Sequence, residues 1–282
     1  MADRIKIVTA TRAGFCFGVK RAVDIAFDAA KKSRHVYTLG PIIHNPQVIE
    51  KLRSEGVAPI QSIDNRKIKT LIVRTHGVTN EMSARLGNKS YNVIDATCPF
   101  VKKAQRFDGL LRKEGYQVVI IGDREHPEVM GLMSYAGPDC IVISKEDPLP
   151  KLRSRVGVVV QTTQPISVLK RFVGESIDQV KELKVFNTIC NSTALRLKET
   201  KRIAKGVDAV LVVGGKNSAN TTQLAKFCIS MSVPTYHIET AKEIRKEWFK
   251  DVKKVGITAG ASTPDWIIEE VADRIRYIGG RS

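Results

Sequence analysis

The chain has 282 residues, a length that allows two or three small domains. Its 46 Lys and Arg residues against 29 Asp and Glu residues give a net charge of +17 at pH 7, and 43% hydrophobic residues are typical of a globular protein. No apolar run approaches the ~18 residues of a membrane span, and the first stretch, MADRIKIVTATRAG, lacks the apolar core of a signal peptide. We therefore expect a cytoplasmic protein without a membrane-spanning segment.

The predicted elements repeat three times along the chain. The first copy begins at Cys16 in RAGFCFGVKRAV, continues as an amphipathic helix and reaches the strand HVYTLG. The second begins at Cys98 and reaches QVVIIG, and the third begins at Cys190 and reaches AVLVVG. In each copy the glycine that ends the strand lies 24 positions after the cysteine. The apolar strands are typical of a parallel sheet with helices on both faces.

Each copy continues in the same order after that glycine. The polar loops PIIHNPQ, DREHPEV and GKNSANT each precede a further helix. A second strand then ends in a polar cluster, as in TLIVRTHG, VGVVVQTTQ and KVGITAGAST, and another helix follows. Each third is thus a parallel α/β unit of about 80–90 residues, a normal domain size. We predict domains at residues 14–96, 97–187 and 188–282, with residues 1–13 as a candidate addition to the third.

The cysteine and both polar loops of each copy follow strand ends. Parallel α/β sheets place functional loops at the carboxyl ends of their strands. We therefore predict an α/β fold of three small parallel-sheet domains. If these domains pack around a pseudo-threefold axis, one thiolate from each can meet the other two at the centre.

The five cysteines are isolated, and a disulfide framework is not expected in a reducing cytoplasm. A structural zinc site usually contains a local pair of ligands, which is missing here. Thiolates of Cys16, Cys98 and Cys190 suit a 4Fe–4S cluster in which one iron keeps an open position and acts as a Lewis acid. Core filling is the commoner role of any one cysteine, but three equivalent positions favour ligands. Cys140 and Cys228 have no equivalents and are assigned to the core.

The polar loops also supply short neutral donors and imidazoles that can hydrogen-bond phosphate oxygens, assisted by the helix N-termini that follow. Taken alone, a loop histidine is more often a surface residue, and a sequence such as NSAN is more often a helix cap. Neither a P-loop nor a Gly-x-Gly-x-x-Gly motif is present. His35 and His237 precede strands and are interpreted as structural. The candidate phosphate-binding residues are His44, His76, His126, Ser218, Asn220 and Ser262.

Glu128 is the candidate proton donor, because it lies two residues after His126 in these loops. Thr162 is placed to orient Glu128 or a substrate hydroxyl. The structural alternative for Glu128 is a favourable carboxylate in the first turn of a helix. Asp123 and Glu125 lie in the same loop and are the other candidates for the proton donor.

The high positive charge is spread along predicted helices such as KKAQRFDGLLRK and is not gathered in a tail. Solvated helix faces explain such a distribution better than nucleic-acid binding, which often requires a concentrated basic surface. Attraction of acidic small molecules or of an acidic protein partner is an intermediate interpretation.

Nine motifs, GFCFGVKRAV, HNPQV, THGV, DATCPFV, HPEV, QTT, TICNST, VVGGKNSAN and TAGASTPD, resemble those of the 4-hydroxy-3-methylbut-2-enyl diphosphate reductase (LytB-type) family, in the family's order and from about Ile7 to Ile278. The resemblance implies a three-domain cloverleaf and a cluster held by Cys16, Cys98 and Cys190. It implies diphosphate binding by the three histidines together with Ser218, Asn220 and Ser262. Many members have a serine where this chain has Ala219, so one hydroxyl contact is lost.

The family's chemistry is the reductive removal of an allylic hydroxyl, which yields isopentenyl and dimethylallyl diphosphates. The resemblance implies protons routed through Glu128, with Thr162 beside it, and electrons from an acidic donor such as flavodoxin or ferredoxin. Thr193 and Arg196 also match family positions, without an assigned role. Two other functions stay open: an iron–sulfur hydro-lyase acting on a diphosphate, and a basic nucleic-acid-binding metalloprotein. A monomer without nucleic-acid or membrane partners is the expected state.

Overall fold

The computed structural model describes residues 5–43, 45–64, 67–87, 90–216 and 218–280, in which helices and strands alternate. The strands are β1 (Lys6–Thr9), β2 (Val36–Leu39), β3 (Val57–Ile60), β4 (Thr70–Val73), β5 (Asn92–Asp95), β6 (Gln117–Ile121), β7 (Ile141–Ile143), β8 (Arg155–Val160), β9 (Glu182–Phe186), β10 (Ala209–Val213), β11 (Thr235–Ile238) and β12 (Lys254–Ala259). The helices are α1 (Phe17–Lys32), α2 (Pro46–Ser54), α3 (Asn80–Gly87), α4 (Pro99–Lys113), α5 (Pro127–Ala136), α6 (Ile166–Ser176), α7 (Asn191–Ala204), α8 (Ala219–Ser230) and α9 (Asp265–Gly279), with 3-10 turns at Ala241–Glu243 and Lys246–Phe249.

The strands form three four-stranded sheets of the same design. Their orders are β3-β2-β4-β5, β7-β6-β8-β9 and β1-β12-β10-β11, and every neighbouring pair is parallel. The two central strands of each sheet end in register, at the pairs Leu39 with Val73, Ile121 with Val160 and Val213 with Ala259. This confirms the predicted class of three parallel α/β units.

The strand before each cysteine completes the sheet of the preceding copy. β5 precedes Cys98 and pairs with β4, and β9 precedes Cys190 and pairs with β8. In the same way β1, which precedes Cys16, pairs with β12 and so completes the sheet of the third copy, near the other end of the chain. Each of the three cysteines therefore lies where the chain leaves one sheet and enters the helix of the next copy.

A glycine in the strand allows the helix after the cysteine to pack closely in two of the copies. A Cβ on Gly157 of β8 would lie 2.5 Å from Leu111 Cδ2 of α4, and a Cβ on Gly256 of β12 would lie 2.6 Å from Ile203 Cγ2 of α7. Real Cβ contacts are longer, so any other residue at either place would force the facing helix side chain to move. Leu111 and Ile203 each stand 13 positions after the cysteine of their copy, which shows the repeat at the level of packing.

The chain clusters into two compact units. One takes the described residues up to Lys20, Ile43–Val48 and the described residues from Asn191 onward, and it holds the sheet β1-β12-β10-β11. The other takes Arg21–Ile42 and the described residues of Ile49–Cys190, and it holds the other two sheets. The three-domain boundaries stay a prediction. Within the described ranges, no helix combines the length and apolar character needed to cross a membrane.

Candidate active site

In the larger unit, two cysteines are anchored beside polar loops at strand ends. Cys98 follows β5 and donates its backbone N–H to the carbonyl of Thr75, at 3.0 Å, directly before His76. Cys190 follows β9 and donates its backbone N–H to the carbonyl of Thr162, at 2.7 Å. Each thiol is thus next to a loop that carries another predicted site residue.

Glu128 is a buried carboxylate, with 1% of its surface exposed. Its Oε1 accepts the backbone N–H of Thr162 at 2.7 Å, and its Oε2 accepts the hydroxyl of the same threonine at 2.9 Å. Burial disfavours the charged form and raises the pKa of Glu128, although the two hydrogen bonds from Thr162 oppose this. Asp123 and Glu125 are exposed. Among the three acids of this loop, Glu128 therefore has the environment of a group that holds a proton.

His126 caps the helix that carries Glu128. Its Nδ1 accepts the backbone N–H of Glu128 at 3.1 Å, so the ring hydrogen of the neutral imidazole lies on Nε2. The ring of His76 meets it edge to face, with centroids 5.3 Å apart. The larger unit therefore brings together two imidazoles, the buried carboxylate and Thr162.

In the smaller unit, three predicted residues lie in loops that contact each other. Cys16 donates its backbone N–H to the carbonyl of Ala261, at 3.1 Å, next to Ser262. Ser218 caps α8 and accepts the hydroxyl of Thr221 at 3.0 Å. A Cβ on Gly260 would lie 2.2 Å from the Thr221 hydroxyl oxygen, so the loops around Ser218 and Ser262 touch.

Asn220 is the fourth predicted residue of this unit and carries an unsatisfied atom. Its Oδ1 is buried with no hydrogen-bond partner among the described residues. Leaving such an atom unpaired costs about 1–3 kcal/mol, and rotation of the amide would present its two N–H donors in the same place. Both properties suit a residue whose partner is a ligand. His44 lies outside the described residues.

Asn45 is a site residue to which the sequence analysis assigned no role. Its Nδ2 donates to the carbonyl of Ser262 at 2.9 Å, and its Oδ1 caps α2 by accepting the backbone N–H of Val48 at 3.1 Å. It thereby ties the loop after His44 to the loop of Ser262. An Asn before Pro at a helix start predicts the cap, but only the fold shows the contact with a residue more than 200 positions away.

The five cysteines divide into two groups. Cys16, Cys98 and Cys190 are partly exposed thiols directly before the helices α1, α4 and α7. Burial raises the pKa of Cys140, and it raises that of Cys228 to about 11, so both stay protonated thiols within apolar clusters. Among the residues that the structure describes, no three Cys, His, Asp or Glu side chains form a group that could hold a metal ion. Cys16 belongs to the smaller unit, and Cys98 and Cys190 belong to the larger one.

Three parallel sheets whose ends present thiols, imidazoles and one buried carboxylate define an α/β enzyme. The model of the LytB protein family matches residues 7–276, and the chain belongs to this family. The resemblance seen in the motifs is thereby confirmed.

Named relatives cover almost the whole chain. A 4-hydroxy-3-methylbut-2-enyl diphosphate reductase of Pelobacter propionicus is 49% identical over 280 residues, which is 99% of this chain and 100% of the relative. One of Geobacter metallireducens is 50% identical over 277 residues, 97% of this chain and 98% of the relative.

Solved structures show the same fold. One described as (E)-4-hydroxy-3-methyl-but-2-enyl diphosphate reductase, the terminal enzyme of the non-mevalonate pathway, is 47% identical with a TM-score of 0.83, over 97% of this chain and 99% of that one. The E-1-hydroxy-2-methyl-but-2-enyl-4-diphosphate reductase of Plasmodium falciparum is 25% identical with a TM-score of 0.81, over 96% of this chain and 87% of that one.

Proposed function

We propose that this chain is a 4-hydroxy-3-methylbut-2-enyl diphosphate reductase. It removes the allylic hydroxyl of this substrate as water, with two electrons and two protons, and yields isopentenyl and dimethylallyl diphosphates. The observation that carries the proposal is the 49% identity over 99% of the chain to a protein of that name. The buried Glu128 supports it, because the proposed reaction consumes protons and burial favours the protonated form of this carboxyl group.

The proposed cofactor is a 4Fe–4S cluster held by Cys16, Cys98 and Cys190. The donor set fits, because these three thiols are partly exposed and outside any disulfide, and each precedes a helix whose N-terminus favours a thiolate electrostatically. The other two cysteines stay protonated and are poor ligands. When bound, such a cluster supplies single electrons and an iron without a protein ligand that acts as a Lewis acid.

Glu128 is the proposed source of protons. Its raised pKa keeps a larger fraction of the side chain protonated near neutral pH than an exposed glutamate would have. Thr162 holds both carboxyl oxygens and so fixes the direction in which the proton is delivered. Its hydroxyl can rotate to accept from the protonated acid, which lets the same pair exist in both protonation states.

The diphosphate is proposed to bind to neutral donors. His126 offers the hydrogen on Nε2, because its Nδ1 is occupied by the backbone of Glu128. Asn220 offers an amide that has an unsatisfied buried atom. Ser218 stands at the N-terminus of α8, where backbone N–H groups and the helix dipole favour phosphate. His44, His76 and Ser262 complete the proposed set.

The proposed electron donor is an acidic protein such as flavodoxin or ferredoxin. The net charge of +17 would accelerate its encounter at low ionic strength. Such a donor can deliver one electron at a time, as the proposed cofactor requires.

Anaerobic turnover of the diphosphate with a chemical or protein reductant tests the function. We expect both isomeric diphosphates, two electrons consumed per molecule of product, and no reaction without reductant. Conversion of the substrate without reductant would instead indicate a hydro-lyase. A colourless protein that binds nucleic acid tightly at low salt, with no turnover, would indicate the third function.

A further inference from the structure

Arg196 lies on α7 and donates hydrogen bonds to the chain just before Cys16. The side chain is buried, with 2% of its surface exposed. Its Nη1 donates to the carbonyls of Arg12 and of Ala259, the latter at 2.7 Å, and its Nη2 donates to the carbonyl of Gly14 at 2.8 Å. One planar guanidinium therefore joins residues 11–14, which we call the approach segment, to the end of β12.

Glu199, three residues further along α7, accepts hydrogen bonds from the same segment. Its Oε1 accepts the backbone N–H and the hydroxyl of Thr11, at 2.9 and 2.7 Å, and its Oε2 accepts the backbone N–H of Arg12 at 2.9 Å. Arg196 donates hydrogen bonds to backbone carbonyls of the approach segment, whereas Glu199 accepts hydrogen bonds from its backbone N–H groups. Since α7 starts directly after Cys190, the helix that follows one proposed ligand holds the segment that precedes another.

Arg196 has no carboxylate within ion-pair distance among the described residues, and its Nε is buried with no hydrogen-bond partner among them. Burial lowers the pKa of Arg196, and the charges of Cys16 and Glu199 oppose this. Burial of a cation is costly unless negative charge compensates it. An anionic group bound at Cys16 would add to the compensation that Glu199 supplies.

We propose that Arg196 is a positioning residue for the iron–sulfur cluster. It holds the approach segment so that Cys16 faces the cluster, and it places a positive charge beside that ligand. The inference rests on the proposed function in taking Cys16 as a cluster ligand. A solely structural arginine would satisfy the three carbonyls without any effect on the cluster's electronic properties.

The test compares Arg196→Met, which loses the charge and the hydrogen bonds, with Arg196→Lys, which keeps the charge but not the planar fork. Lys198→Met is the matched control, because it removes an exposed positive charge from the same helix. After anaerobic reconstitution with iron and sulfide, we measure iron retention against a chelator and the reduction potential by a titration followed by electron paramagnetic resonance. Circular dichroism of the metal-free proteins monitors folding.

We expect Arg196→Met to retain iron about 10- to 100-fold more weakly than the wild type, as for other residues that orient metal ligands. Its potential should be more negative, because the lost charge favoured the reduced cluster. Arg196→Lys should also lose iron faster but keep a potential near that of the wild type. If the Met variant does not fold, the Lys variant alone tests the positioning role of Arg196. Wild-type retention and potential in the folded variants would overturn the inference. A wild-type protein that takes up no cluster would overturn the proposed function as well, so the two failures differ.

Discussion

Replacement of Glu128 by Gln removes the proposed proton donor with little change of shape. Thr162 can keep both contacts, because its N–H donates to the new amide oxygen while its hydroxyl rotates to accept from the new NH₂ group. The protein should fold, take up the cluster and bind the diphosphate as before. Loss of a positioned proton donor typically lowers the rate by about 10²–10⁴-fold, equivalent to about 2.7–5.4 kcal/mol of activation free energy.

The assay is anaerobic turnover with saturating reductant, with substrate affinity measured separately by calorimetry. We expect kcat to fall by this factor while Kd stays within about twofold, which corresponds to 0.4 kcal/mol. A Gln variant with at least a third of wild-type kcat would refute the role of Glu128 as proton donor. A large loss of affinity at unchanged kcat would refute it too, because the residue would then act in binding.

The pH dependence of the same reaction tests how Thr162 acts. Burial raises the pKa of Glu128, and the Thr162 hydroxyl opposes that rise by stabilising the carboxylate. Since the donor must be protonated, turnover should fall as the pH rises through the pKa of Glu128. Thr162→Val removes the hydroxyl, raises this pKa further and moves the decline to higher pH, whereas Thr162→Ser should leave it in place. An unchanged profile in the Val variant would assign the titration to another group.

Two more predictions concern stability and charge. Both oxygens of Asp108 in α4 are buried with no hydrogen-bond partner among the described residues, so Asp108→Leu should raise the unfolding free energy of the metal-free protein at pH 7 by about 1–3 kcal/mol in denaturant titrations. Burial raises the pKa of Asp108 well above 3.8, so the wild type loses stability as the pH rises through that raised value. The stability that Asp108→Leu gains over the wild type should therefore grow with pH, and a gain that did not grow would contradict this. The rate of reduction by an acidic protein donor should fall as the Debye length shortens from about 10 Å at 0.1 M salt to about 3 Å at 1 M. A small uncharged reductant is the control, and an equal response of both would remove the role proposed for the net charge of +17.

The repeat was predictable because each copy has the same spacing between cysteine and glycine and the same apolar strands. These patterns are local, and they led directly to three parallel sheets. The grouping of His126, Glu128 and Thr162 was predictable for a related reason: loops at the carboxyl ends of neighbouring parallel strands meet at one edge of a sheet.

The burial of two charged side chains, Arg196 and Asp108, was not predictable from the sequence. Arg196 lies in LRLKETKR, where the pattern indicates another solvated basic residue, yet two of its three carbonyl partners lie about 180 positions earlier. Asp108 falls on the buried face of α4 with Val101 and Leu111, but its type suggests an exposed position. In both cases the burial of the side chain depends on chain segments that only the fold brings close.

The central claim is that three cysteines, one from each copy, hold one cluster. Its most direct test is the iron and sulfide content of anaerobically reconstituted wild type, of the single Ser variants of Cys16, Cys98 and Cys190, and of Cys140→Ser and Cys228→Ser as controls. We predict about four iron atoms per chain in the wild type and both controls, and a marked loss in each of the other three variants. Full iron content in any of those three, or loss in the controls alone, would contradict the account.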